Sequence, residues 1–233
     1  MSNDPVSNQL DREKDAAAKA SLRYVNDGDI VGLGTGSTAA FMVRALAEKV
    51  RAGLKIVGIP TSKRTEELAA SLGIAVTTLD EYQDINVTID GADEFDSQLR
   101  LIKGGGGALL REKIVASASR KLVIIADSSK QARKLGRFPL PVEVIPFAEK
   151  LVARKIVAMG AQVKLREYAY GNPFVTDEGH HILDCHFGEI DDPEKIGSEL
   201  SFMPGIVEHG LFLNMASVVV VGKADGVVEL TRK

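Results

Sequence analysis

The chain has 233 residues, 45% of them hydrophobic, which is enough for one large domain or two modest ones with packed cores. With 29 Lys and Arg against 32 Asp and Glu, the formal net charge is -3, and no global field draws the protein to nucleic acid or to an anionic membrane. Its single cysteine, Cys185, excludes an internal disulfide and a cysteine-rich metal site and fits a reducing, cytoplasmic setting, while no apolar run reaches bilayer-spanning length and the N-terminus does not read as a secretion signal.

Residues 1 to about 10 are polar and are expected to fray. The segment DREKDAAAKASLRYV, Asp11 to Val25, is rich in strong helix formers and stops at Asn26-Asp27-Gly28. A strand from Asp29 to Leu33 then leads through Gly34-Thr35-Gly36-Ser37-Thr38 into a helix from Ala39 to Val50. Strand, glycine loop and helix N-terminus in that order form an anion cradle. The spacing Gly34-x-Gly36-x-x-Ala39 also satisfies the dinucleotide fingerprint, which expects an acidic residue about twenty positions on. Instead, the strand KIVGI is followed by Pro60-Thr61-Ser62-Lys63-Arg64, so a small phosphorylated ligand explains the loop more simply. Thr61 to Gly73 reads as a helix with a hydroxyl cap, and IAVTTL, from Ile74, as a strand.

The β-branched run INVTI, Ile85 to Ile89, predicts a buried strand with Asp90 at its end, the edge where open α/β sheets bind ligands. Asp93, Lys103 and four consecutive glycines, Gly104 to Gly107, follow within seventeen residues. The glycines open a helical pattern, Ala108 to Ser119, in which Leu109, Ile114 and Val115 recur and Glu112 falls in the second turn. Taken singly, the aspartates read equally well as strand terminators or caps, the glycines as a flexible loop and Glu112 as a solvated helix residue. Together, acid, base, cation and bare amides make a site that moves protons while holding an anion. Beyond this stretch, the strand Leu122 to Ala126 ends in Asp127-Ser128-Ser129-Lys130, which brings Lys130 to the same edge if the sheet is parallel.

The prolines of Phe138-Pro139-Leu140-Pro141 mark a break. After them the order PVEVIP (strand), FAEKLVARKIVAMG (helix), AQVKLREY (strand), HHILDCHF (strand), DPEKIGSELSFMPG (helix) and IVEHGLFL (strand) is that of a ferredoxin-like split βαβ unit. HHILDCHF carries three histidines and Cys185, but it alternates like a strand and lacks metal-ligand spacing, so no metal is expected. SVVVVGKADGVVEL reads as a hairpin that returns to the first sheet. The predicted fold is α/β, with a Rossmann-like, mostly parallel sheet domain of residues 1–136 and 211–233 and a smaller ferredoxin-like α+β domain of residues 137–210.

Five ordered motifs, GLGTGSTAA at Gly32, DGADE at Asp90, KGGGGALLREK at Lys103, ADSSK at Ala126 and FPLPVEVIP at Phe138, resemble the type A ribose-5-phosphate isomerases. The resemblance runs from the first helix to the last strand. It implies a cofactor-free and metal-free aldose-ketose isomerase of the non-oxidative pentose phosphate pathway, acting on ribose 5-phosphate and ribulose 5-phosphate through an enediolate. It implies that Glu112 shuttles the proton, that Lys103 and nearby glycine amides steady the oxyanion, and that Asp90 assists ring opening and proton transfer to sugar oxygens. Binding of the sugar phosphate is implied for Thr35, Gly36, Ser37, Thr38, Asp90, Gly91, Ala92, Asp93, Lys103, Gly104, Gly105, Gly106 and Lys130, with a weaker match for Lys14. The resemblance assigns no role to the fourth glycine, Gly107. The expected partners are a small-molecule sugar phosphate and further copies of the chain, as a homodimer or homotetramer, with no nucleic acid and no membrane. Against this stand a non-catalytic sugar-phosphate sensor, which leaves Glu112 unexplained, and an NADP-linked reductase, which requires the Gly34 loop to face a pyrophosphate.

Overall fold

The structure, a computed structural model, describes residues 5–168 and 171–232. In chain order it begins with α1 (Pro5–Ser21), β1 (Ile30–Leu33), α2 (Ser37–Arg51), β2 (Val57–Pro60), α3 (Lys63–Ser71) and β3 (Val87–Gly91). There follow β4 (Glu94–Phe95), β5 (Leu101–Ile102), α4 (Leu109–Ser117), β6 (Leu122–Asp127), β7 (Leu140–Val144), α5 (Glu149–Ala158) and β8 (Gln162–Leu165). The chain finishes with β9 (His181–His186), α6 (Pro193–Ser201), β10 (Ile206–His209), β11 (Leu211–Phe212), β12 (Val218–Lys223) and β13 (Gly226–Thr231).

Two compact units divide these elements. The first comprises residues 1–92, 111–131 and 215–233, and the second residues 93–110 and 132–214. The sequence reading drew boundaries at 136/137 and 210/211, whereas the compact division sets them at 131/132 and 214/215 and also takes 93–110 into the second unit.

In the first unit a six-stranded sheet has the order β13-β12-β6-β3-β1-β2, parallel except for the β12–β13 hairpin. The strands alternate in period two. Val31 and Leu33, Val87 and Ile89, Val123 and Ile125, and Val218 and Val220 all face one core, where α1 and α2 lay Ala17, Ala18, Met42, Val43 and Leu46 against them. On the opposite face Val115 of α4 packs with Ile59 and Ile85. The Ile85 N–H donates to the Ala118 carbonyl just beyond α4, so α4 ends where β3 begins and runs back along it. Its first turn therefore lies toward the carboxyl end of β3.

The second unit holds a four-stranded antiparallel sheet in the order β10-β7-β9-β8. Numbered within the unit, that order is 4-1-3-2 with α5 and α6 as the crossovers, the ferredoxin-like arrangement expected from the element order. A small sheet, β11-β5-β4, completes the unit.

Four expectations about elements need correction. Fraying was expected through residue 10; residues 1–4 lie outside the described residues, and from Pro5 the chain is helical, because proline at the start of a helix removes only an N–H that the first turn leaves unpaired. IAVTTL is not a strand but a single bridge, with Gly58 and Val76 paired through Gly58 N–H to Ala75 and Thr77 N–H to Gly58 before the chain leaves the edge of β2. IVEHGLFL splits at Gly210, whose amide donates to Pro141 and whose carbonyl accepts from the Lys103 amide, so its two halves join different sheets. Glu112 sits in the first turn of α4, not the second, and the buried stripe of that helix is Leu109, Glu112, Val115 and Ala116, with Ile114 44% exposed.

Candidate active site

In the first unit the strand order reverses at β1, since the chain moves from β1 outward to β2 and then returns to place β3 on the other side. Such a switch point opens a crevice at the carboxyl ends of the strands. Thr35, just past β1, and Asp90, at the end of β3, meet across it: the Thr35 N–H donates to Asp90 Oδ1 at 3.0 Å, and the Gly91 N–H donates to the same oxygen at 2.7 Å. Gly34 permits this approach, because a Cβ there would overlap the Asp90 carboxylate and its Cα. By the strand's period Asp90 shares a face with Thr88, against which Val115 of α4 packs, and Glu112 stands one turn earlier on that helix.

The Thr35 hydroxyl is turned inward. It bonds with the hydroxyls of Thr61 at 2.7 Å, Ser62 at 2.8 Å and Thr65 at 3.1 Å, while Thr65 Oγ1 also donates to the Gly34 carbonyl at 3.0 Å. Ser37 is exposed and Thr38 buried at the start of α2, whose N-cap, Gly36, supplies no side-chain cap. That helix terminus thus presents amide donors and positive potential without a protein side chain in the cap position.

Lys130 lies in the short turn Ser128–Lys130 after β6, whose end is at the same sheet edge. Two buried carboxylates hold this turn. Glu13 Oε2 accepts from the Ser128 amide at 3.0 Å and its hydroxyl at 2.6 Å, and Asp127 Oδ1 accepts from the Ser129 amide at 3.0 Å and from its hydroxyl. Burial pushes the Glu13 carboxyl up, but its hydrogen bonds from Ser128 and Gln9 outweigh that and leave it below the ordinary glutamate value. Lys14, the weaker match on α1, is instead paired with Asp11 at 3.1 Å.

In the second unit Asp93 is half-buried and its Oδ2 accepts from the Gly105 amide at 2.7 Å. The glycine run closes as a turn, with the Gly107 amide donating to the Gly104 carbonyl at 3.0 Å. Gly107 has φ +80° and Phe174 fills the space where a Cβ would stand, so this position demands glycine. Lys103 is fixed by its own amide on Gly210, and its ammonium lies 5.3 Å from the centre of the Phe212 ring.

The structure places Thr35, Gly36, Ser37, Thr38, Asp90, Gly91, Ala92, Glu112 and Lys130 in the first unit, and Asp93, Lys103, Gly104, Gly105 and Gly106 in the second. Three of these ionisable residues are almost wholly buried: Asp90 is 1% exposed, Lys103 2% and Glu112 3%. Burying charge is costly, and such residues mark functional sites more often than chance. Glu13, Asp127 and the hydroxyls of Thr61, Ser62 and Thr65 were missed as supports of the site. Their partners lie 26 to 115 residues away along the chain, apart from Gln9 on Glu13 and those of Asp127 and Ser62–Thr65, and no local spacing announces the distant ones.

Of the three histidines of HHILDCHF, two are paired with carboxylates, His180 with Glu143 at 3.0 Å and His181 with Glu149 at 2.7 Å, while burial pushes the Cys185 thiol up. Among the described residues no group of three or more His, Cys, Asp or Glu side chains is gathered to hold a metal ion, and no helix is long and apolar enough to cross a membrane.

Residues 57–226 match the family model described as ribose 5-phosphate isomerase A (phosphoriboisomerase A). A ribose-5-phosphate isomerase A of Parvibaculum lavamentivorans is 54% identical over 93% of this chain and 96% of its own. Among solved structures, a D-ribose-5-phosphate isomerase in complex with phospho-erythronic acid superposes with a TM-score of 0.93 at 39% identity, covering 96% of this chain and 99% of its own. The ribose 5-phosphate isomerase A of Methanocaldococcus jannaschii does so with a TM-score of 0.90 at 42% identity, covering 94% of this chain and 98% of its own. With motifs, fold and relatives in agreement over nearly its whole length, the chain belongs to the ribose 5-phosphate isomerase A family.

Proposed function

We infer that this protein interconverts D-ribose 5-phosphate and D-ribulose 5-phosphate by moving one proton between neighbouring carbons. The observation that carries the reading is the burial of Asp90, Lys103 and Glu112 in a chain of this family. Substrate and product are isomers, so the reaction needs no electron acceptor. It needs a base, a means of moving protons between oxygens, and a stabiliser of the enediolate.

Glu112 takes the proton from C2 of the open-chain aldose and returns it to C1. A free glutamate, with a pKa near 4.3, is too weak to ionise an unassisted carbon acid, so the negative charge that builds on the sugar oxygens must be met by placed donors. Lys103 and the amides of the glycine loop meet it. Asp90 moves protons at the sugar oxygens and assists ring opening, and Asp93 orders the glycine loop through Gly105 while reaching sugar hydroxyls. The phosphate rests at the uncapped start of α2, beside Ser37 and Thr38, with Lys130 as its cation. Phospho-erythronic acid, the ligand of the structural relative, likewise carries a phosphate at one end and an acid at the other, the polarity that such a site accepts.

The protein acts in the cytoplasm, in the non-oxidative pentose phosphate pathway, as a homo-oligomer. Self-association is supported by the second unit, where Phe147 is 99% and Phe202 85% exposed, apolar area that a monomer has no reason to leave in water.

Proton NMR of ribose 5-phosphate with the purified, EDTA-treated protein in D₂O tests the reading. Ribulose 5-phosphate appears, and solvent deuterium enters at the carbon that exchanges its proton. A sugar phosphate that binds and stays unchanged would make the protein a sensor and not an enzyme.

A further inference from the structure

Arg166 follows β8 and has no place in the proton-transfer chemistry, yet its guanidinium is engaged on two sides. Its Nε donates to Asp184 Oδ2 at 3.0 Å, and its Nη2 pairs with Asp184 Oδ1. The remaining nitrogen, Nη1, donates to two carbonyls of the glycine loop, Gly104 at 2.7 Å and Gly105 at 3.3 Å. The residue itself is anchored through main-chain bonds, its amide to the Ile182 carbonyl at 2.8 Å and its carbonyl to the Phe174 amide at 2.8 Å. Phe174 then meets the Tyr168 ring at a 43° tilt, with ring centres 4.9 Å apart, and fills the space beside Gly107.

The consequence follows from peptide geometry. In a trans peptide the C=O and the following N–H point in opposite directions. With the Gly104 carbonyl drawn to Arg166, the Gly105 amide is aimed the other way, and it is found on Asp93 Oδ2 at 2.7 Å. With the Gly105 carbonyl drawn to the same guanidinium, the Gly106 amide must likewise point away from Arg166. A loop of four glycines has no side chains to set its peptide planes, and glycine loses more freedom on ordering than any other residue. An outside clamp is therefore required if its amides are to be ready donors.

We propose that Arg166, held square by Asp184, is a positioning residue of the isomerase: it clamps the Gly104 and Gly105 carbonyls and so aims the Gly106 amide at the developing oxyanion. The role rests on the isomerase reading and on the glycine amides serving the sugar oxygens. It calls for the fork of a guanidinium, since one ammonium cannot hold a carboxylate on one side and two carbonyls on the other.

The test compares wild type, Arg166→Ala and Arg166→Lys in steady-state conversion of ribose 5-phosphate, each with and without added guanidinium at a non-denaturing concentration. Loosening donors by about 1 Å costs on the order of 10²-fold, so Arg166→Ala loses between about tenfold and 10²-fold in kcat. Its KM stays within about threefold, because the donor acts mainly in the transition state. Guanidinium restores kcat severalfold in Arg166→Ala and leaves wild type unchanged, which a purely structural defect does not do. Arg166→Lys, which keeps the charge and folds if Arg166→Ala does not, is also slower than wild type. A kcat within twofold of wild type for either variant, or a loss in Arg166→Ala that guanidinium leaves unrestored, overturns the role. Wild-type protein that leaves ribose 5-phosphate unchanged sinks the isomerase reading and this role with it, whereas active wild type beside equally active variants sinks only the clamp.

Discussion

Gly34→Ala tests the contact on which the first unit's site is built. A Cβ at Gly34 would stand 2.5 Å from the Asp90 Cα as well as against its carboxylate. No side-chain rotation relieves a clash with main chain, so β1 and β3 must part by about 1 Å to restore ordinary van der Waals separation. The loop cannot simply swing aside, because the Gly34 amide is bonded to the Ile89 carbonyl at 3.0 Å and its own carbonyl to Thr65 at 3.0 Å. Overpacking of this kind costs about 1–3 kcal/mol. Loss of the Thr35 amide bond to the Asp90 carboxylate adds about 1.5–3 kcal/mol. A displacement of that size at a reacting group costs on the order of 10²-fold, or about 2.7 kcal/mol, in turnover. Urea unfolding and initial rates of ribulose 5-phosphate formation read both effects. Gly91→Ala is the matched control for stability, since a Cβ there meets nothing nearer than the Thr35 carbonyl at 3.8 Å, and it unfolds within about 1 kcal/mol of wild type. If Gly34→Ala folds as firmly as Gly91→Ala and keeps its rate within about threefold, the close approach of Gly34 to Asp90 has no role in the site.

Glu112→Gln, nearly the same in shape, abolishes detectable turnover while keeping sugar-phosphate binding, and Lys103→Met loses about 10²–10³-fold in kcat; steady-state kinetics with either variant within a few-fold of wild type would remove that residue from the mechanism. Glu13→Gln loses a carboxylate whose folded-state pKa lies below its ordinary value of 4.5, so the stability that the charge contributes is present above that value and disappears as pH falls through the folded one. Denaturant midpoints for wild type and Glu13→Gln should therefore differ near neutrality and converge in acid; a gap that widens in acid would reverse the sign. Phe147→Asp with Phe202→Asp turns the exposed apolar positions of the second unit into charges, and light scattering is expected to show a smaller assembly, whereas an unchanged mass places the association surface elsewhere.

The sheet was legible because its inner strands are buried on both faces. Runs such as Leu122–Asp127 and Val218–Lys223 are nearly continuous in apolar residues, and parallel pairing needs no further signal than the helices between them. The 4-1-3-2 order of the second unit followed from its element order for the same reason. Single elements that the sheet uses only in part misled. IAVTTL has the composition of a strand but spends only its middle on one bridge to Gly58. Asp90, Lys103, Glu112 and the glycines stood out as candidates because ionisable residues and bare backbone cluster there along the chain. Their supports did not. Arg166 is one cation among 29 until its guanidinium is found on Gly104, and Glu13 reads as an ordinary helix surface residue until Ser128 arrives from 115 positions away. The helical stripe also deceived, since Ile114 looks like core by type and Glu112 like surface, and the fold reverses the two.

Thr35 shows how the same residue type can serve the scaffold or the ligand, and the two roles separate experimentally. Its position in GLGTGSTAA suggests a phosphate donor, yet its hydroxyl is spent inside the protein on Thr61, Ser62 and Thr65. Ser37, two residues on, is exposed at the uncapped start of α2. Thr35→Val preserves the shape and removes the hydroxyl; Thr61, Ser62 and Thr65 keep their bonds to Leu33, Thr65 and Gly34 but lose the partner they share, at a cost of about 0.5–1.5 kcal/mol. The amide that touches Asp90 is untouched, so KM should move by less than about threefold. Ser37→Ala does the reverse, because no buried bond is lost but a donor to the phosphate is, and KM rises by about tenfold or more, for a charge-assisted bond of about 1.5–3 kcal/mol. Urea midpoints and KM measured on the same two variants give a crossed result if the hydroxyls are divided in this way. Should Thr35→Val unfold like wild type while its KM rises tenfold, the Thr35 hydroxyl turns outward to the ligand, and the four-hydroxyl cluster is not what holds the loop.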